Sequence, residues 1–167
     1  MGPFHQRFRS LASDNLEQYM NKIRASVALF SEEDLWWRPS HSCNSVGNLM
    51  LHLCGNLSQW VLEAMGDLPF DRHRDEEFRA EGGWRKADLL TRLEAIVGAS
   101  RAILEGLDQG DLEAAKRIQV YDTDGLGAVF SAVEHMSYHT GQIVYVAKEL
   151  HGREGGIEFY PHLRDKP

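Results

Sequence analysis

Glu134-His135-Met136-Ser137-Tyr138-His139-Thr140-Gly141-Gln142 sets two histidines four positions apart. On an α-helix, residues i and i+4 share one face, with Cβ atoms roughly 5–6 Å apart. Two imidazoles at that spacing reach one metal ion, whose nitrogen ligands lie about 2.0–2.1 Å away. The stretch lies inside 125–147, the least charged run of the chain, where Glu134 is the only acid or base besides the histidines. Val129, Val133, Met136, Ile143 and Ala147 recur there at helical steps and predict a helix over 127–150. Ser131, Ser137, Thr140 and Gln142 make it too polar for a membrane span, and it reads as a helix buried in a bundle.

Three more helices follow from the same periodicity. Leu16, Tyr19, Met20, Ile23, Val27 and Phe30 mark one over 9–30. Val46, Leu49, Leu53, Leu57, Trp60 and Ala64 mark one over 45–65, with Ser45 or Asn44 as its cap. Leu89, Leu93, Ile96, Val97, Ile103, Leu104 and Leu107 mark one over 86–107. Ser31-Glu32-Glu33-Asp34 opens a turn or short helix that Pro39 closes, and 118–121 and 157–160 read as short extended pieces. The fold class is therefore all-α, a four-helix bundle, with residues 1–167 as a single domain and no linker or internal repeat. The connections 66–85 and 108–126 are long enough to fold over an end of the bundle, as functional lids and walls do.

The chain has 167 residues, 43% hydrophobic and 26% charged, with a formal net charge of −7. An acidic chain without a basic stripe lacks the clustered cations that phosphate contacts require, so no nucleic-acid partner is expected. Arg72-His73-Arg74 reads as cancelled by Asp71, Asp75, Glu76 and Glu77, and that cluster as a solvated, self-paired loop, or else a lid. No secretory signal and no membrane span is visible, and the two cysteines form no C-x-x-C pair, so a cytoplasmic protein is expected.

The chemistry lies on two polar rows. Asn48, His52 and Asn56 form one stripe of the second helix, with Ser45 and Gln59 near its ends. Ser131, His135, His139 and Gln142 form the corresponding row on the fourth. If those helices are neighbours, His52, His135 and His139 converge. Three neutral imidazoles with a fourth position open describe a catalytic rather than a structural zinc site. Imidazole suits nickel, iron and copper as well. Asn48, Asn56, Ser131 and Gln142 are candidates for orienting the ligands or the substrate. His52 alone would read as a hydrogen-bonded core histidine, and the metal reading rests on three histidines sharing two rows. Glu134 points elsewhere on its helix. Cys54 reads as a small core residue and Cys43 as a less favoured reactive thiol. Trp36, Trp37 and Trp60 read as core, with a cavity mouth the less favoured alternative, and Tyr138 as packing rather than a hydrogen-bond donor at the site. His41, His73, His151 and His162 read as solvated.

Ser45-Val46-Gly47-Asn48-Leu49-Met50-Leu51-His52-Leu53-Cys54-Gly55-Asn56-Leu57, followed by His135-x-x-x-His139-Thr140-Gly141-Gln142, resembles the DinB/YfiT-like metalloenzyme superfamily, in a branch of largely unassigned function. Phe70 to Phe78 is similar to that branch too. The resemblance implies an up-down-down-up bundle that binds a divalent metal, zinc or nickel, through His52, His135 and His139. It also implies a homodimer, and kinship with S-transferases and isomerases that use low-molecular-weight thiols such as mycothiol and bacillithiol.

The expected function is metal-dependent chemistry on a small-molecule substrate, with water or a thiol at the open position, its pKa lowered by the ion. Hydroxide gives a hydrolase and thiolate an S-transferase. No Lys, Asp or Glu on the polar rows presents itself as a general base, which mildly favours thiol activation. Glu76 or Glu77 supplies a base if its loop folds over the site. The alternative is a non-catalytic, metal-stabilised small-ligand-binding or stress-response protein.

Overall fold

The computed structural model describes residues 2–152 and 157–160. Helix α1 spans Pro3–Val27, with Pro3 in its first turn, where a missing N–H and a fixed φ suit helix initiation. It begins two turns before the apolar stripe announces it, because those turns bury little and carry no periodic signal. Helix α2 (Glu32–Trp36) starts at a capping box in which Ser31 and Asp34 satisfy each other's backbone N–H. Helix α3 (Val46–Leu57) starts the same way from Ser45 and Asn48, and every one of its residues is buried. It continues as a π-helical turn over Ser58–Glu63.

Short helix α4 (Arg74–Arg79) crosses α3. Helix α5 (Lys86–Gly106) is followed by α6 (Gln109–Glu113). Strands β1 (Ala115–Ile118) and β2 (Tyr121–Asp124) then pair antiparallel, with Ile118 opposite Tyr121. The extended piece read over 118–121 is thus a hairpin tip: Gln119 and Val120 form its turn, with Gln119 at φ 56°. Residues 157–160 are not a strand, and the Lys22 ammonium donates to the Tyr160 hydroxyl there at 2.7 Å. Helix α7 (Gly125–His151) follows, its first turn capped by the Asp124 side chain on the Gly127 N–H at 2.7 Å. Gly125 is required there, because a Cβ would stand 2.1 Å from the Asp111 carbonyl oxygen.

The four long helices alternate around an apolar core of Leu16, Ile23, Leu53, Leu57, Leu93, Leu104 and Met136, each at most 1% exposed. Helix α1 packs on α5 and α7, and α3 packs on the same two, so α1 and α3 are diagonal. Arg9 near the start of α1 donates to the Glu105 carbonyl near the end of α5, at 2.7 Å, so these helices are antiparallel. Phe30 meets His151 at the far end of α7, so α1 and α7 run together. His52 meets His135 and His139 while the start of α7 lies at Met65, so α3 and α7 oppose. The order is up-down-down-up. Among the described residues no helix is long and apolar enough to cross a membrane.

Candidate metal centre

His52 on α3 and His135 and His139 on α7 meet across the bundle, with one ring nitrogen of each within 4.8 Å of the others. His52 Nε2 and His135 Nε2 stand 2.8 Å apart. Two imidazole lone pairs repel at that distance unless a proton or a cation lies between them. In the metal-free tautomer His135 carries that proton, and a divalent ion would take its place. A set of three imidazoles therefore fits a divalent metal ion.

The far sides of two rings are fixed. His52 Nδ1 donates to Glu77 Oε2 at 2.8 Å, and His139 Nδ1 donates to Gln142 Oε1 at 2.6 Å. Each bond places the ring proton on Nδ1 and turns the Nε2 lone pair towards the cluster. Glu77 is itself gripped by Arg72, Nε to Oε1 at 2.8 Å and Nη2 to Oε2 at 2.9 Å. Arg72 Nη2 also lies 3.2 Å from His52 Nδ1, but both are donors there, and the carboxylate is what they share. The Arg72 and Glu77 side chains are 5% and 10% exposed. This buried pair passes over Gly55, where a Cβ would stand 2.0 Å from Glu77 Oε1. The glycine is the gap in α3 that lets a carboxylate reach His52.

Burial pushes His135 down to about 4, helped by the positive charge that His139, His52, Arg72 and Arg74 would present. Burial also lowers His139, against the opposing bond to Gln142, with His52 adding to the fall. Burial alone would raise Glu77, but the hydrogen bonds from His52 and Arg72 outweigh it and hold the carboxyl below its ordinary range. The site thus sets His135 and His139, which burial keeps neutral, beside a carboxylate that stays ionised.

The other candidate residues divide. Ser131 and Asn56 line a cavity of about 440 Å³ directly over His52 and His135. Gln142 lies outside that cavity wall and holds His139. Asn48 faces away from the cavity: its Oδ1 accepts from the Ser45 N–H, and its Nδ2 donates to the carbonyls of Glu77 and Ala80 at 2.9 and 2.8 Å. It staples α4, and so Glu77, to the start of α3.

The loop expected to be solvated is only partly so. Asp71, Asp75 and Glu76 are exposed, while Arg72 and Glu77 turn inward. Glu76 opens onto a separate hollow behind Glu77. Trp60, expected in the core, stands half-buried on the cavity wall with Tyr121 from the hairpin, ring centroids 6.0 Å apart. Gln59 ties three segments together, its Oε1 accepting from Arg72 Nη1 and Gln119 Nε2. Tyr138 stacks edge-on against His139 at 5.1 Å, and Glu134 is exposed. Cys54 is 1% exposed, and burial pushes its thiol up to about 12, so it is a core residue. His41 and His73 are exposed. His151 is instead half-buried against Phe30, and His162 lies outside the described residues.

An up-down-down-up bundle of four long helices defines a DinB-like fold. The fold is shared with solved structures at low identity. A conserved protein from Enterococcus faecalis superposes with a TM-score of 0.69 at 20% identity, over 83% of this chain and 94% of that one. A DinB-like protein, YjoA, from Bacillus subtilis gives 0.64 at 16%, over 84% and 92%. A DinB-like protein from Bacillus cereus gives 0.64 at 12%, over 80% and 87%. The chain belongs to the DUF1572 family, proteins of unknown function, which it matches over residues 4–156. No curated protein matches it.

Proposed function

We propose that this protein is a divalent-metal-dependent enzyme acting on a small molecule, with zinc or nickel held by His52, His135 and His139 and one position open. The observation that carries this reading is the convergence of three imidazoles whose ligand nitrogens lie within 4.8 Å of one another. Two of them are turned inward by Glu77 and Gln142. When bound, the ion supplies Lewis acidity that lowers the pKa of a thiol or water at its open position. The chain's own residues do the rest. Glu77 and Arg72 hold the His52 ring and keep its Nδ1 protonated. Gln142 does the same for His139. Burial keeps the His135 and His139 imidazoles neutral and available.

The surrounding carboxylates bear on the choice between thiol and water as nucleophile. Glu77 is bound on both oxygens. Asp122, on the cavity wall, accepts from Arg117 at 2.5 Å. Glu76 lies on the other side of α4's chain. No described carboxylate is therefore free over the histidines to act as base, and this favours a thiol-dependent S-transferase using a low-molecular-weight thiol over a hydrolase. Self-association belongs to the same reading: Phe130, Tyr138 and Tyr145 are 60%, 60% and 70% exposed on one face of α7. Sedimentation of wild type against Tyr145→Glu tests it, and a wild-type monomer would sink it.

Protein purified without an affinity tag is expected to hold close to one equivalent of metal, lost in His52→Ala and His139→Ala. Metal below a tenth of an equivalent, unchanged by either substitution, would sink the metal centre. Metal present, with no metal-dependent conjugation of any thiol to an electrophile and no hydrolysis, would leave a ligand-binding protein instead.

A further inference from the structure

Two polar groups on the cavity wall stand out: a buried acceptor and a cation with no partner among the described residues. Asn56 sits one helical turn beyond His52 on α3 and is 7% exposed, and its Oδ1 accepts no hydrogen bond. A buried acceptor left unpaired is destabilising, so a site that keeps one is shaped for a donor arriving with a ligand. Arg74 stands on the α4 side of the same cavity. Its guanidinium carbon lies 4.8 Å from the Phe78 ring centroid, and no described carboxylate pairs with it. Every other charge on that wall is engaged: Arg72 by Glu77 and Gln59, Asp122 by Arg117. The cavity therefore presents an unpaired cation and a buried unpaired acceptor together with His52 and His135. Trp60 and Tyr121 add apolar rings to the same cavity wall.

We infer that the cavity takes a small organic acid whose carboxylate pairs with Arg74, whose N–H or O–H donates to Asn56 Oδ1, and whose reacting group lies over the three histidines. A single guanidinium matches the one charge and planar fork of a carboxylate. A phosphate dianion would keep a charge uncompensated there. This rests on the metal-dependent reading and names its substrate class.

The test uses cobalt-loaded protein and reads thiol binding from the cobalt absorption bands. Mercaptopropionate carries the acid group. Mercaptoethanol lacks it but carries an O–H donor. Mercaptopropionate is expected to bind about tenfold tighter than mercaptoethanol, the size of one charge-assisted bond. Arg74→Gln should erase that preference and keep the cobalt bands. Asn56→Leu should weaken mercaptoethanol severalfold and leave mercaptopropionate unchanged. Equal affinity for the two thiols, binding of neither, or a preference that survives Arg74→Gln would overturn the inference while the metal centre stands. Absence of cobalt bands in the wild type would remove the metal centre itself, and the inference with it.

Discussion

His52 and His139 are held by unlike supports. His52 is fixed from α4's loop, 25 residues away in sequence, by an ionised carboxylate locked to a buried guanidinium. His139 is fixed by Gln142, a neutral amide three residues on along the same helix, which is itself exposed. A charged partner raises the basicity of an imidazole more than a neutral amide does, so His52 is the stronger electron donor of the two. The α7 support forms with the helix. The α3 support exists only once α4 has docked. One half of the site is local, then, and the other half is tertiary.

The largest test of that contrast removes the tertiary support. Arg72→Met leaves Glu77 ionised and buried, and should cost about 3–5 kcal/mol in urea unfolding at neutral pH, as stranded buried charges do. Arg72→Met combined with Glu77→Leu should recover most of it. A single variant that costs under 1 kcal/mol would mean the pair is not held as described.

Next comes the effect on metal. Residues that orient ligands typically contribute 10–100-fold in metal affinity. Glu77→Gln should fall near the upper end of that range and Gln142→Ala near the lower, by competition with a chromophoric chelator. Equal losses would erase the distinction between the two supports.

The pH dependence is the smallest effect, because His135 is only partly buried. Its pKa falls from an ordinary 6.5 to about 4 on folding, so between those values the unfolded chain binds the proton that the folded chain refuses. Stability of the metal-free protein should therefore be fully present above 6.5, and it should decline as the pH drops towards 4. His135→Gln should flatten the slope of the urea midpoint over that range. The lowered Glu77 carboxyl adds a second loss, at more acid pH, as it protonates.

Which parts were legible in the sequence follows from the same division. The four long helices announce themselves by periodicity, and the three histidines by sharing polar rows. Gln142 lies on such a row and was found. Glu77 shares no helix with His52, so helix periodicity could place it only as a loop carboxylate, and its role as a clamp on His52 rather than a base was invisible. Gly55, in the middle of a bulky, fully buried helix, was the one signal that something approaches α3 there. Asn48 does two jobs: as the third residue after Ser45 it closes the cap of α3, and from the histidine row its amide reaches the Glu77 carbonyl. Trp60 continues the core stripe only if the α-helical phase runs unbroken through it, and the π-helical turn breaks that phase.

That last point returns to the π-helical turn at Ser58–Glu63, where the Ala64 N–H reaches the Gln59 carbonyl and the Gly66 N–H reaches that of Val61. Such a turn holds one residue more than an α-helix would. Deleting a residue there would act as a rotation rather than a shortening, swinging one flank of the helix by about 100° relative to the other. With the histidines held in place by α7, the swing would fall on Gln59 and Trp60. The bundle would survive, but Gln59 could no longer join Arg72 to the hairpin tip, and the roof over the histidines would come loose at its hinge.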